Sequence, residues 1–294
     1  MQLRRIVTVL CILTAMLVAA EGPTPTVLAS PDATAPDLAS ARSFGVLGGS
    51  TVTNTGVTTV TGDVGVSPGP SVTGFPPGIM VNGTIHQNDA TAIQAHADAD
   101  LAYDDLVNQT CDTDLSGQDL GGMTLTPGSY CFSSSADLNG ILTLNAQSNP
   151  AAIFLFQIGT TLTTASNASV VMTNGGLACK VYWQVGSSAT LGTNTAFAGN
   201  ILADQSITMT TSSSLSGRAL AINAAVTLDT NSVSNAACFG PLAITVQGFR
   251  AQPPGRGFDL GAGALLLILG LLFMRRPVQA IVDPCSYDGK AQAT

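Results

Sequence analysis

The sequence predicts a mostly β protein, a β-solenoid of triangular section with one long α-helix packed alongside. Two observations support this prediction. Short threonine-bearing segments return at intervals of eighteen or nineteen residues between Thr190 and Thr227. Within them apolar and hydroxylated residues alternate, as Ile207 and Met209 do with Thr208, which is the period of a strand with one buried face. We therefore expect the apolar side chains to point inward and the hydroxyls outward.

The repeated cores favour a solenoid over other β folds. They occur as Thr51-Val52-Thr53-Asn54, Thr143-Leu144-Asn145, Thr161-Leu162-Thr163-Thr164, Thr190-Leu191-Gly192-Thr193, Thr208-Met209-Thr210-Thr211 and Thr227-Leu228-Asp229-Thr230. At about 3.3 Å per residue, eighteen residues suffice for three short strands and three corners. Each turn of a solenoid lays the same face on the previous turn, so its sequence repeats. A β-sandwich is the alternative that the alternation leaves open.

One segment, about residues 88–108, has the period of a helix. The residues of its apolar stripe are Ala90, Ile93, Ala97 and Leu101, extended by Leu106 or Val107. Such i, i+3 or i+4 spacing is typical of an amphipathic helix. Asn88 or Asp89 is the predicted N-cap, since a short polar side chain can accept a bond from the free backbone N–H groups there.

The 294 residues divide into six predicted parts. These are an export signal at 1–20, a Pro/Ala/Thr-rich linker at 21–41, the solenoid domain at 42–240, a linker at 241–258, an apolar segment at 259–276 and a polar tail at 277–294. The signal has Arg4 and Arg5 before an apolar run and a small-residue cleavage site; a retained membrane anchor is the alternative. The sequence thus predicts an exported protein, extracellular or at the cell surface.

The apolar segment at 259–276 is predicted to be a membrane anchor or sorting segment. It is closed by Arg275 and Arg276, as at the cytoplasmic end of a membrane span. The run is short for a spanning helix, so a buried terminal helix is the alternative.

Composition and motifs argue against several function classes. Only 10% of residues are charged and the net charge is −8, with no cluster of Lys and Arg to bind nucleic acid. Between residues 112 and 240 the only cations are Lys180 and Arg218, and the carboxylates are scattered. His86 and His96 are ten residues apart, and no metal-ligand spacing or phosphate loop occurs. The sequence therefore predicts no enzyme, no cofactor and no metal; a polysaccharide-cleaving solenoid is the weakest alternative.

Four cysteines are disulfide candidates in an exported protein. Cys111 and Cys131 flank a turn-rich segment, and Cys179 and Cys238 form the other natural couple. Four cysteines allow three connectivities, so the sequence leaves the pairing open.

The predicted solenoid presents a regular hydroxyl surface. Stacked coils place equivalent threonines about 4.8 Å apart, and residues i and i+2 lie about 6.7 Å apart along a strand. Methyl groups favour caging of water, hydroxyls tether it, and β-branching orders the side chains before any binding. Such a grid suits a repetitive partner such as an ice surface. Two alternatives stay open: threonine serves only as an exposed strand former, or the solenoid is a cell-surface adhesin or glycan-binding module.

Longer segments resemble the microbial ice-binding (antifreeze) protein family. They are "SFGVLGGSTVTNTGVTTVTGDVGVSPG" at 43–69, "LGGMTLTPGSYCF" at 120–132, "IFLFQIGTTLTTASNASVVM" at 153–172 and "VYWQVGSSATLGTNTAFAGNILA" at 181–203. The resemblance covers roughly residues 42–238. It implies a discontinuous right-handed β-solenoid, in which an N-terminal coil packs among later coils after the chain has passed through the helix. It also implies adsorption to ice without a cofactor.

Some members of that family carry a Thr-Ala/Gly-x-Thr/Asn pattern on the ice-contacting face. It is intact here at Thr55-Gly56-Val57-Thr58 and Thr164-Ala165-Ser166-Asn167, and looser in the later coils. The predicted ice-contacting residues are Thr55, Thr58, Thr164, Asn167, Thr193, Thr195, Thr208, Thr210, Thr211, Ser213, Thr227, Thr230 and Ser232. We expect the column around Thr164, Thr193, Thr211 and Thr230 to be central.

Overall fold

The computed structural model describes residues 33–235, which form a discontinuous β-solenoid with one α-helix alongside. Helix α1 spans Ala90–Val107, and short 3-10 helices span Ala39–Ser43 and Ala178–Lys180. The strands are β1 Phe44–Gly48, β2 Thr51–Thr55, β3 Thr59–Thr61, β4 Asp63–Val66, β5 Ser71–Thr73, β6 Ile79–Val81, β7 Ile85–Gln87, β8 Thr113–Asp114, β9 Thr124–Leu125, β10 Gly128–Phe132, β11 Ala136–Leu138, β12 Ile141–Asn145, β13 Phe154–Ile158, β14 Leu162–Thr164, β15 Ser169–Thr173, β16 Val181–Val185, β17 Ala189–Leu191, β18 Ala196–Ala203, β19 Ile207–Met209, β20 Ser214–Ala221, β21 Val226–Asp229 and β22 Ser232–Ser234.

Each full coil contributes strands to three faces. The threonine face is a separate seven-stranded sheet in the order β11-β14-β17-β19-β21-β2-β5. The helix face comprises β8, β10, β13, β16, the second half of β18 and of β20, β1, β4 and β7. The third face comprises β9, β12, β15, the first half of β18 and of β20, β22, β3 and β6. Every strand pair is parallel, which excludes the sandwich alternative.

The long strands β18 and β20 turn a corner without a loop, at Gly199 and Gly217. Both glycines have positive φ, at 124° and 154°, which side-chain-bearing residues rarely adopt. A Cβ on Gly217 would lie 1.9 Å from the carbonyl oxygen of Gly199. The stacked coils therefore require glycine at both positions.

The N-terminal coil is inserted at the far end of the stack. Strands β1, β2 and β3 pair with β20, β21 and β22, the last coil of the chain, and on their other side with β4, β5 and β6. The order of coils in space thus differs from their order in sequence. The discontinuity that the family resemblance implies is confirmed.

The inward side chains of the stacked strands form one continuous core. Ile207, Met209, Val226 and Leu228 are fully buried, as the alternation predicts. The Trp183 ring stacks on Phe156 with 3.9 Å between ring centroids. Its indole N–H donates to the carbonyl oxygen of Ala198 at 3.0 Å, so the buried polar atom is satisfied.

The predicted apolar stripe of the helix is wrong in orientation, except for its extension at Leu106, which is buried. Ile93 and Leu101 are 52% and 68% exposed, whereas the residues packed on the helix face are Ala92, Ala95, Ala99, Ala102 and Leu106. Alanines let the helix approach the bulky outward side chains of the coils, among them Leu155, Tyr182 and Leu220. The N-cap prediction is confirmed for Asp89, whose carboxylate accepts from the backbone N–H of Ala92 at 2.8 Å.

The packed part of the chain begins before the predicted boundary at residue 42. Leu38 and Ala41, predicted to lie in a linker, are buried in the same cluster as α1. The side-chain amide of Gln109 donates to the carbonyl oxygen of Thr34 at 3.0 Å and so fixes this segment to the end of the helix. The proline- and alanine-rich composition of the segment before residue 42 gives no sign of these contacts.

The Cys111–Cys131 disulfide is confirmed, with 5.9 Å between the Cα atoms. Cys238 lies outside the described residues, so its pairing with Cys179 stays a prediction. The export signal, the parts predicted within 241–294 and most of the N-terminal linker lie outside them as well. Among residues 33–235, neither α1 nor the 3-10 turns have the length and apolar character needed to cross a bilayer.

Candidate functional site

The threonine face has a central column of six threonines in direct register. They are, along the stack, Thr163, Thr190, Thr208, Thr227, Thr53 and Thr73. Each follows an inward residue of its strand and is exposed or half-exposed. With about 4.8 Å between neighbouring strands, the hydroxyls and methyls repeat at a constant interval. On β11, the first strand of this sheet, Asp137 occupies the position in register with Thr163.

Two columns flank the central one. Before it, Ser188 and Ser206 stack with 3.0 Å between their hydroxyl oxygens, and Thr51 is in register with Ser71. After it, Thr55 is in register with Asp229. The face is thus a grid of short polar and methyl-bearing side chains.

The corner after the threonine face is built from left-handed residues. Asn167, Asn194, Ser212 and Thr230 have φ between 59° and 61°, or 54° for Thr230. The backbone N–H of each donates to the next coil: Asn167 to Thr193, Asn194 to Thr211, Ser212 to Asp229 and Thr230 to Thr55. The corner is therefore as regular as the strands, and it presents exposed side chains along the edge of the face.

Most of the predicted site residues lie at the surface of this face or its corner. Those that are exposed or half-exposed there are Thr55, Asn167, Thr193, Thr208, Thr210, Thr211, Thr227 and Thr230. Ser232 is exposed, but it lies on the third face, in register with Ser214.

Four predicted site residues are buried, and the prediction of surface contact is wrong for them. Thr58, Thr164, Thr195 and Ser213 are between 0 and 3% exposed. Their hydroxyls form hydrogen bonds with backbone groups and with one another inside the corner. The Thr164 hydroxyl accepts from the backbone N–H of Gly192 at 2.8 Å and lies 2.9 Å from the Thr195 hydroxyl. The Ser213 hydroxyl donates to the carbonyl oxygen of Thr210 at 2.9 Å.

The two intact copies of the family pattern are not structurally equivalent. Thr55 points outward in register with Asp229, whereas Thr164 occupies the inward position that Asn54 holds in its own strand. Sequence reasoning also missed four members of the central column, which are Thr53, Thr73, Thr163 and Thr190. Strand alternation alone marks these four, because each follows an apolar residue that packs in or against the core.

The threonine face carries little charge, and the carboxylate of Asp229 on it is hydrogen-bonded. The Asp229 carboxylate accepts from the hydroxyls of Thr211 and Thr230 on either side of it. Asp137 stands at the end of the central column, away from its middle. The middle of the grid is consequently neutral.

Within residues 33–235, no three His, Cys, Asp or Glu side chains come together in a group that could hold a metal ion. His86 lies between Asp63 and Asp89 beside the start of α1, away from the threonine face. Lys180 and Arg218 line a cavity of about 290 Å³ on the helix side, together with Arg42. Arg218 is buried there and donates to the carbonyl oxygen of Arg42, which is a structural role.

Fold and face together define a parallel β-solenoid with a periodic, outward-facing hydroxyl array. Residues 46–234 match the family described as Ice-binding-like, and the chain belongs to this family. It is 60% identical over 232 residues to an ice-binding protein of Nostoc sp. (strain HG1), covering 79% of this chain and 84% of that one. The family resemblance read from the sequence is thereby confirmed.

Solved structures agree with this assignment. The crystal structure of an ice-binding protein from an Antarctic biological consortium superposes with a TM-score of 0.68 at 47% identity, covering 72% of this chain and 96% of that one. That of an ice-binding protein from the Antarctic ascomycete Antarctomyces psychrotrophicus gives 0.66 at 41% identity, covering 68% and 98%.

Proposed function

We propose that the protein binds ice, and that it does so through the threonine face. The observation that supports this choice is the column of six threonines in register, flanked by further short hydroxylated residues. A flat array with constant spacing in two directions matches the repetitive character of a crystal surface better than that of any single soluble molecule. Membership of the family indicates that the ligand is ice, and the geometry of the threonine column indicates which face binds it.

The chemistry of the grid suits ordered water. Each threonine offers a methyl group, beside which water forms a cage, and a hydroxyl, which donates and accepts hydrogen bonds. Because χ1 of threonine is restricted, little side-chain entropy is lost on binding. A face with few charges has few tightly hydrated groups that would disturb the layer. Adsorption of this kind inhibits ice growth and recrystallisation.

The proposed activity is adsorption, with no chemical step and no cofactor. The relatives reported above are ice-binding proteins, which favours the prediction that the chain is not an enzyme. Export by residues 1–20 would place the protein outside the cell, where ice forms first. Attachment to a membrane through 259–276 remains a prediction about residues outside the described range.

The test is a bulky substitution in the middle of the central column. Thr208→Tyr, in the full chain, is expected to lose most of its thermal hysteresis and recrystallisation inhibition, because the ring holds the face away from the crystal. Leu101→Tyr, at an exposed position on α1, is the matched control and should keep both activities. Equal activity of the two variants, with equal unfolding temperatures, would exclude the threonine face as the site.

The separate parts of the threonine side chain can be tested at the same position. Thr208→Ser removes the methyl group and Thr208→Val removes the hydroxyl. Because both groups order water, each variant should retain less hysteresis than the wild type and more than Thr208→Tyr. A Val variant with no activity would assign the effect to hydrogen bonding alone.

A further inference from the structure

The third face has an outward surface without a single charged residue, and the proposed ice-binding activity gives it no role. Its first outward column is Ile141, Ser169, Ala196, Ser214, Ser232, Thr59 and Ile79. Its second column is Thr143, Val171, Ala198, Ser216, Ser234, Thr61 and Val81, of which Ala198 is buried. All fourteen positions hold Ser, Thr, Ala, Val or Ile. The face is therefore neutral and made of short side chains from end to end.

A compact block of hydroxyls occupies three neighbouring strands of this face, β20, β22 and β3. Ser214, Ser232 and Thr59 are in register in the first column, and Ser216, Ser234 and Thr61 are in register in the second. The two columns lie about 6.7 Å apart along the strands, and neighbouring strands lie about 4.8 Å apart. The block thus has the two repeats of the threonine face, carried by a different set of residues.

Apolar side chains extend the two columns at both ends of the block. Ile79 and Ile141 are more than half exposed; Val81 lies beside Ile79 in the second column, and Val171 lies beside Ser169, one strand in from Ile141. Methyl-bearing and hydroxyl-bearing residues are therefore both present along the stack. The threonine face shows the same combination within single threonine side chains.

The third face adjoins the threonine face along the regular corner. The corner residues Asn167, Asn194, Ser212 and Thr230 follow one face and precede the other in each coil. Exposed Val57 lies at the same edge. Asp229 lies beside this edge, and its carboxylate accepts from the hydroxyls of Thr211 and Thr230, so a crystal that meets the edge can contact either face across a rim of low charge.

We propose that the third face is a second ice-binding surface, which contacts a different crystal plane from the threonine face. This proposal rests on the proposed function of the threonine face. The composition favours ice over a protein or a glycan, since the fourteen positions include none of the Tyr, Trp, Phe, Met or Arg side chains that anchor protein interfaces and stack on sugars. Rigid strands in fixed register present the same array before and after binding.

The test compares one substitution on each face. Thr208→Tyr obstructs the threonine face, and Ser216→Tyr obstructs the hydroxyl block of the third face, where Ser216 is exposed. Ser216→Thr, which keeps the hydroxyl and adds a methyl, is the control. Each full chain is fused to a fluorescent protein and adsorbed to a single ice crystal, and the labelled crystal planes are mapped. Thermal hysteresis and the unfolding temperature are measured in parallel.

The expected result is a division of the wild-type pattern between the two variants. Ser216→Tyr should lose at least one labelled plane and part of the hysteresis, Thr208→Tyr should lose others, and Ser216→Thr should label all of them. If Ser216→Tyr labels every wild-type plane with unchanged hysteresis, the second surface is refuted while the threonine face stands. If instead Thr208→Tyr is without effect and Ser216→Tyr abolishes adsorption, the third face binds ice and the assignment to the threonine face is the one that fails.

Discussion

Thr163 and Thr164 are neighbours in sequence with opposite roles. Thr163 is exposed in the central column, while the Thr164 hydroxyl accepts from the backbone N–H of Gly192 inside the corner. A buried donor left without its acceptor costs about 1–3 kcal/mol. We therefore expect Thr164→Val to lower the free energy of unfolding by roughly that amount while thermal hysteresis stays at the wild-type level. Chemical denaturation and hysteresis measurements on the same samples check this.

Thr163→Val is the matched control for that substitution. It removes the same hydroxyl one residue away, where water can replace it, so the free energy of unfolding should hardly change. Hysteresis should fall, since one member of the central column loses its hydroxyl. If the two variants behaved in the opposite way, the register of β14 would be wrong.

Thr230 is a β-branched residue in the left-handed region, with φ of 54°. This conformation is costly for such residues, and the equivalent corner positions in two other coils are Asn167 and Asn194. We expect Thr230→Asn to stabilise the protein by about 0.5–1 kcal/mol, because asparagine adopts the left-handed region at a lower cost than a β-branched residue. Thr230→Val keeps the strain and loses the hydrogen bond to Asp229, so it should unfold at a lower temperature than the wild type.

At the scale of elements, Asp98 connects α1 to the segment before β1. The Ser40 hydroxyl and backbone N–H both donate to its carboxylate, and the Gln94 side chain donates to its other oxygen at 2.9 Å. The Ser40 hydroxyl is the main reason that the pKa of Asp98 lies below its ordinary value of 3.8. A lowered folded-state pKa adds stability above the unfolded value, and that stability is lost as pH falls through the folded value.

Asp98→Asn should therefore be less stable than the wild type at pH 7 and should lose less stability between pH 5 and pH 2. Thermal unfolding across this range measures both effects. The pKa of Asp89 is lowered as well, mainly by the backbone N–H of Ala92, so some acid sensitivity should persist in the variant. If the unfolding temperatures of the two proteins fell by the same amount over this pH range, Asp98 would not contribute to the acid sensitivity.

The geometry also supports the predicted pairing of Cys179 with Cys238. Cys179 borders the same cavity as Arg42 and Arg218, and the side chain of Asn235 donates to the carbonyl oxygen of Ser43 beside it. Cys179 and Asn235 are three coils apart, about 14 Å along the stack. Three residues reach about 10 Å and a disulfide spans about 5.5 Å between Cα atoms, so the bond is within reach.

We expect peptide mapping of the non-reduced protein to recover Cys179 and Cys238 in one linked peptide, alongside the Cys111–Cys131 link. Cys238→Ser should lower the unfolding temperature, because the constraint on the end of the last coil is lost. Cys285→Ser, at a cysteine outside the four disulfide candidates, is the control and should have no effect. Recovery of Cys179 and Cys238 as alkylated thiols without reduction would contradict the pairing.

At the scale of the whole molecule, the sequence predicts the architecture better than the site. The cores at Thr190, Thr208 and Thr227 are equivalent in space because their coils have nearly equal length. The repeat pattern pairs Thr161 with Thr190, whereas in the structure Thr163 is the partner of Thr190, two residues further on. A shift of two residues leaves the inward and outward alternation of a strand unchanged, so the pattern does not reveal this error. The core at Thr143 belongs to β12 on the third face.

The remaining errors have a common physical cause. Alternation separates inward from outward residues within strands, but a corner follows no period, so buried Thr58, Thr195 and Ser213 could not be told from exposed neighbours. Likewise, hydrophobicity assigned the large Ile93 and Leu101 to the buried side of the helix, where close packing selected alanines instead. The insertion of the N-terminal coil followed from the family resemblance, as local sequence patterns do not report long-range pairing.

The stacked design allows the binding surface itself to be lengthened. Strands β18 and β20 pair residue by residue from Ala196 with Ser214 to Ala203 with Ala221, so residues 199–216 form one unit that can be repeated. A second copy inserted after Ser216 should add one threonine to the central column and two serines to the third face. We expect higher thermal hysteresis, since the adsorbed area grows.

The same insertion should lower stability. Helix α1, at about 27 Å for its 18 residues, would face a stack that is about 4.8 Å taller and would leave more of the helix face exposed. A matched insertion with Thr208→Lys in the added copy has the same helix mismatch but an interrupted grid, and should show no gain in hysteresis. Equal hysteresis in both folded insertions would mean that the area of the threonine face does not limit adsorption.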